Sequence, residues 1–130
     1  MTLYDSSVLI DYLAGRDAAV SYVASRADER AIAPPLVLFE VYQGEVFKTG
    51  ATDLDAVDEA LTWVDVVETS AASARAAATL QDELRATGDP LAARDAYIAG
   101  VAALRGEQLA VADADFDVDG ITDRVDVNFV

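Results

Sequence analysis

The chain has 130 residues and carries 24 Asp plus Glu against 9 Lys plus Arg, a formal charge of −15. With 53% hydrophobic residues it holds enough apolar material for a buried core, which excludes a disordered acidic tail. Cysteine and histidine are both absent, so disulfides, thiolate or imidazole metal sites, thiol catalysis and Ser-His-Asp chemistry are excluded.

The acids, 17 Asp and 7 Glu, are spread evenly and face 8 Arg and the single Lys48. In dilute solution such a surplus repels itself; in concentrated salt the repulsion is screened and hydrated carboxylates keep the chain soluble. A salt-loving source is therefore expected, and each acid counts as a solvating group until its position says otherwise. The first thirteen residues carry Asp5 and Asp11 without a basic leader, and no run reaches about 18 apolar residues. A cytoplasmic protein with no membrane partner is expected.

Residues 2–4 form a short apolar run that ends at Asp5 and turns directly into a helix, with a serine as N-cap and Gly15 as stop. Helical spacing follows over residues 17–27, then a strand over 30–33 closed by Pro34-Pro35, and a helix over 36–48. Thr52 caps a helix reaching Trp63, residues 65–67 make a brief strand, and 70–86 an Ala-rich helix ended near Gly88. Pro90 opens a helix to Leu104 that stops at Gly106. Residues 108–112 read as a strand, 113–120 as a loop, and 124–129 as a final strand alternating Val125, Val127 and Phe129. Short strands alternating with helices predict an α/β sandwich with a mostly parallel sheet, one domain over residues 1–130.

Two acids do not sit where a solvating acid should. Glu40 shares a helix face with Leu36, Val37, Gly44 and Phe47, and Asp95 shares one with Leu91, Ile98, Ala99 and Ala102. A carboxylate in an apolar stripe needs a partner or a cation, and metal neutralisation is the economical reading in a chain so poor in bases. Asp5 and Asp113 fall where predicted strands end, the edge at which open α/β sheets build sites. Singly, Asp5 also reads as a helix-cap acid and Asp113 as a loop acid. Together, an all-oxygen carboxylate set suits Mg²⁺ or Mn²⁺, ions that support phosphodiester cleavage.

The segments Asp5-Ser6-Ser7-Val8-Leu9-Ile10, Phe39-Glu40-Val41-Tyr42-Gln43-Gly44, Arg94-Asp95-Ala96-Tyr97-Ile98-Ala99 and Val111-Ala112-Asp113-Ala114-Asp115-Phe116-Asp117 come in an order and spacing that covers nearly the whole chain. In this the sequence resembles PIN-domain ribonucleases, specifically the VapC toxins of type II toxin–antitoxin pairs. The resemblance implies a three-layer PIN-like sandwich. It makes Asp5, Glu40, Asp95 and Asp113 catalytic, metal-gathering acids, with Asp115 a further ligand and Ser6 an orienting hydroxyl. It implies hydrolysis of RNA, often tRNA, with Mg²⁺ or Mn²⁺, silencing by a cognate antitoxin whose C-terminal segment occupies the site groove, and a homodimer. Relatives usually place a Thr or Ser where this chain has Val111, which leaves open how Asp113 is held.

Other readings compete. The charge of −15 opposes RNA binding, though high salt already shrinks the counterion term. Arg16, Arg94 and Arg105 are local candidates for substrate, each equally an ordinary ion-pair partner, and none is assigned a role here. Residues 115–126 fit a calcium-loop spelling, yet Asp stands at its last position and strands flank it, so a hydrated acidic loop is the preferred reading. A phosphoacceptor domain would want a late lysine, and Lys48 lies on the wrong element. An inactive PIN-fold binding module and a PIN nuclease of housekeeping RNA processing are the remaining alternatives.

Overall fold

The computed structural model describes all 130 residues. Its core strands are β1 (Thr2–Tyr4), β2 (Ala31–Ala33) and β4 (Gln108–Val111), short apolar runs that are almost wholly buried. Burial on both faces explains why they read as continuous apolar runs rather than as alternation. With the more exposed β3 (Val64–Val66) and β5 (Val127–Phe129) they form one sheet of order β3-β2-β1-β4-β5, every pair parallel.

Parallel neighbours need crossovers, and helices supply them. Helices α1 (Ser6–Leu13) and α2 (Asp17–Ala24) lead from β1 to β2; α3 (Pro35–Phe47) and α4 (Leu54–Ala60) lead on to β3. The hairpin of α5 (Ala71–Thr87) and α6 (Ala93–Arg105) then carries the chain back across to β4, on the other side of β1. Strand order therefore reverses beside β1. The crevice beyond the carboxyl ends of β1 and β4 is where sheets of this kind hold ligands, and Asp5 and Asp113 lie there.

The predicted α/β sandwich is thus the observed one, with a wholly parallel sheet. Tyr4 is buried in the core and half-buried aromatics pack round it: its ring meets Tyr22 and Trp63 edge-on, and Tyr12 meets Trp63. The Ala-rich α5 lies directly on α6. A Cβ at Gly100 would stand 2.5 Å from the Ala77 Cα, so only glycine allows this approach.

Several boundaries differ from the sequence reading, each for a local reason. Asp5, not a serine, caps α1, its carboxylate accepting from the Ser7 N–H at 3.0 Å. Asp53 rather than Thr52 caps α4, and that helix stops at Ala60, whose carbonyl accepts the Trp63 indole N–H at 3.0 Å. Helix α2 ends at Ala24, three residues early. Pro90 does not open α6: the Gln81 amide clamps the Leu91 N–H and C=O at 2.8 and 2.6 Å, so the helix begins at Ala93. Residues 124–126 are not strand, because the Arg124 and Val125 N–H groups bond back to the Ile121 carbonyl in a turn. Within the expected loop, Ala114–Phe116 form a 3₁₀ turn that buries Phe116.

Candidate metal centre

Asp5 is fixed by its position between β1 and α1. Its N–H continues the ladder to the Ala110 carbonyl at 2.9 Å, and its carboxylate, only 3% exposed with the residue, caps the helix. The Ser7 hydroxyl donates to Asp5 Oδ2 and accepts the Ala112 N–H at 2.9 Å. One hydroxyl thus ties the first acid to the β4 end, next to Asp113. Val111, where a hydroxyl was missed, is simply buried in β4.

Glu40 comes from the middle of α3, its side chain 16% exposed. Its Oε2 lies 3.5 Å from Arg94 Nη1, while its Oε1 is buried without a hydrogen-bond partner. Ser6, read as the orienting hydroxyl, faces Glu40 and slightly eases its ionisation. Asp95 enters from the first turn of α6, on a face whose Ile98, Ala99 and Ala102 are buried, as is Leu91 just ahead of the helix. Asp113 caps the 3₁₀ turn by accepting the Asp115 N–H at 2.9 Å, and Asp115 is exposed at the rim. Carboxylate oxygens of Asp95, Asp113 and Asp115 lie within 4.8 Å of one another.

The electrostatics tie all five together. Burial pushes the Asp95 carboxyl up to about 6, helped by the charges of Asp5, Asp113, Glu40 and Asp115 in that order. Burial also raises Asp5, against its Ser7 hydrogen bonds and with Asp113 adding to the rise, and raises Glu40, with Asp5 adding and Arg94 opposing. Four carboxylates that repel one another in a half-dry site, with hard oxygen donors and a stranded Glu40 Oε1, fit a divalent cation. None of the larger cavities is lined by these acids; the largest, about 600 Å³ between α5, α6 and the C-terminal loop, is remote. The cluster meets solvent at Asp115, with Asp95 and Asp113 half-buried behind it.

The acids of the calcium-like loop do not converge. Asp117, Asp119, Asp123 and Asp126 belong to no metal-sized group, strands flank the segment, and Arg124 bonds the Gly120 carbonyl at 2.9 Å. Asp117, Asp119, Asp123 and Asp126 are all exposed. Arg16 pairs with Asp11 at 3.1 Å.

The sequence pattern of the PIN domain family matches residues 2–119. The chain belongs to the PIN domain family. Among solved structures this PIN domain is similar to FitAcB from Neisseria gonorrhoeae, at 21% identity and TM-score 0.81 over 100% of this chain and 97% of that one. A toxin–antitoxin complex from Klebsiella pneumoniae matches at 22% identity and TM-score 0.79, over 98% of this chain and 96% of the other. VapBC-5 from Mycobacterium tuberculosis, a member of the VapBC toxin–antitoxin family, matches at 25% identity and TM-score 0.69, over 99% and 96%. No curated protein sequence matches. No helix of this PIN domain is long and apolar enough to cross a membrane.

Two measurable consequences arise here. Removing the Ser7 hydroxyl leaves Asp5 only its backbone N–H donors and strips the Ala112 N–H of its acceptor, so Ser7→Ala should lower stability in urea by about 1 kcal/mol. Ser6→Ala, which breaks no completed hydrogen bond, should not. The second concerns pH. Because folding raises the Asp95 pKa from 3.8 to about 6, the folded chain holds more protons than the unfolded one across that interval. The resulting stability is fully present below 3.8 and is lost as pH rises through about 6. At fixed salt the metal-free thermal midpoint should fall over that window, and saturating Mn²⁺ should flatten the fall. A metal-free midpoint that rises across it would contradict this electrostatic account.

Proposed function

We propose that this PIN domain is a divalent-metal-dependent endoribonuclease, the VapC-type toxin of a toxin–antitoxin pair. The convergence of Asp5, Glu40, Asp95 and Asp113 at the strand-order reversal carries the reading. In it those four acids gather Mg²⁺ or Mn²⁺, and Asp115 adds a ligand from the rim. An ion held there would supply polarisation of a phosphodiester and a more acidic water. The chain's own groups do the positioning. Ser7 locks the rotamer of Asp5, α6 brings Asp95 in from its first turn, and the 3₁₀ turn sets Asp113 beside Asp115. Cleavage by water needs no covalent intermediate and no thiol or imidazole, neither of which this chain has.

Structural relatives that are toxin–antitoxin complexes or members of such systems support an antitoxin partner. So do exposed apolar side chains on the two helices that follow Asp5 and carry Glu40: Ile10 and Leu13 on α1, and Phe39, Val46 and the 78% exposed Phe47 on α3. A homodimer acting on RNA such as tRNA, in a salt-rich cytoplasm, completes the reading.

The test is incubation of total cellular RNA with the protein in molar salt, with Mn²⁺ or with EDTA. Discrete fragments in Mn²⁺ alone are expected. Intact RNA in both, from a folded protein that takes up Mn²⁺, would favour a binding module.

A further inference from the structure

The five acids of the cluster have one cation among them. No other basic side chain lies within ion-pair distance of Asp5, Glu40, Asp95, Asp113 or Asp115, and the Arg94 side chain that does is 62% exposed. It reaches Glu40 across the gap between α6 and α3 and sits next in sequence to Asp95, yet exerts no resolved pull on Asp95. Its charge is directed at the one carboxylate that also carries a stranded oxygen.

We propose that Arg94 is a cation-exchange residue: it neutralises Glu40 while the centre is empty, is displaced when a divalent ion takes that carboxylate, and then binds a phosphate of the substrate. The inference rests on the proposed metal-dependent nuclease activity. Arg94 Nη1 lies 3.5 Å from Glu40 Oε2, so a divalent ion taking that carboxylate would repel the guanidinium, and the doubly charged cation would hold it more strongly. Nothing buries the guanidinium, so its release costs little. Once free it stands at the rim of the acids, beside Asp95, with two or more donors in the planar fork that suits a phosphate. The chain has little else to offer a polyanion there: Arg16, Arg26, Arg30, Lys48, Arg85 and Arg124 are each paired with an acid outside the cluster, while the unpaired Arg75 lines the remote cavity and the unpaired Arg105 ends α6, at the opposite end of the helix from Asp95.

This assignment makes opposite-signed predictions for one variant. Arg94→Gln removes the competitor for Glu40, so Mn²⁺ should stabilise the full chain against heat at an about two- to fivefold lower concentration than in the parent. The same variant should raise KM for RNA about tenfold with kcat little changed, and should flatten the salt dependence of kcat/KM by about one unit of slope. Arg94→Lys should recover part of the KM and restore the weaker Mn²⁺ response.

If Arg94 only braces the fold, Arg94→Gln will lower the midpoint in EDTA and leave both the Mn²⁺ response and KM unchanged, which overturns the inference. So does a variant that binds Mn²⁺ more weakly than the parent. A parent whose stability ignores Mn²⁺ defeats the nuclease reading itself, a result distinct from either. Should the parent bind Mn²⁺ without cutting RNA, the shift in Mn²⁺ midpoint alone decides the exchange.

Discussion

Asp95→Asn is expected to abolish metal-dependent RNA cleavage and, in EDTA, to raise the thermal midpoint of the same protein. The two effects share one cause. Asp95 is surrounded by four carboxylates and by the buried Leu91, Ile98, Ala99 and Ala102, and its pKa of about 6 records how unwelcome its charge is there. Asparagine has the same shape without the charge, so the repulsion disappears and the metal loses a ligand. The stabilisation that Mn²⁺ gives the parent should shrink or vanish in the variant. Loss of the fold in EDTA would instead make Asp95 a structural group and remove it from the site. Asp115→Asn, at the exposed rim, should do far less on both counts.

The largest effect on the scaffold is expected at Gly100. A methyl group there meets Ala77 at 2.5 Å from Cα, 2.6 Å from N and 2.8 Å from Cβ, so the obstacle is backbone and cannot rotate away. The gain of about 1 kcal/mol in helix propensity from glycine to alanine is the smaller quantity. Gly100→Ala should destabilise the chain by about 3 kcal/mol, read as a lower urea midpoint at unchanged slope. Adding Ala77→Gly should restore little, because the Cα and N remain. A change within about 0.5 kcal/mol would mean that α5 and α6 part freely. Since α6 also carries Asp95, the Mn²⁺ response should weaken together with stability.

How far the site could be read in advance differs from acid to acid. Asp95 was legible because its apolar stripe is real: every neighbour used to flag it is buried. The apolar stripe of Glu40 is real only in part. Gly44 and Phe47 on its stripe are exposed, and its surroundings come from Val37, from the cluster of acids and from Arg94, 54 positions later in the chain. No periodicity reveals a partner at that distance. Asp5 and Asp113 were legible as strand ends, since the reversal of strand order follows from which strands exist.

The serines show the opposite limit. Ser6 and Ser7 are adjacent and chemically identical, and only the geometry of the strand-to-helix turn sends Ser7 to Asp5 and Ala112 and Ser6 towards Glu40. Element boundaries failed for a similar reason. The start of α6 depends on a Gln81 side chain from another helix, and the end of α4 on a Trp63 indole folding back. In the first case a hydrogen bond from another helix overrides local propensity, and in the second a side chain three residues on bonds back to the last helical carbonyl; a reading of periodicity contains neither.

The central claim, that these acids form a divalent-metal centre, is tested most directly by crystals of the full chain soaked in Mn²⁺ and measured for anomalous scattering. An anomalous peak bounded by carboxylate oxygens of Asp5, Glu40, Asp95 and Asp113, and absent in Asp95→Asn, is the predicted result. A peak confined to residues 115–126, or an empty cluster with Arg94 still on Glu40 at saturating Mn²⁺, would contradict it.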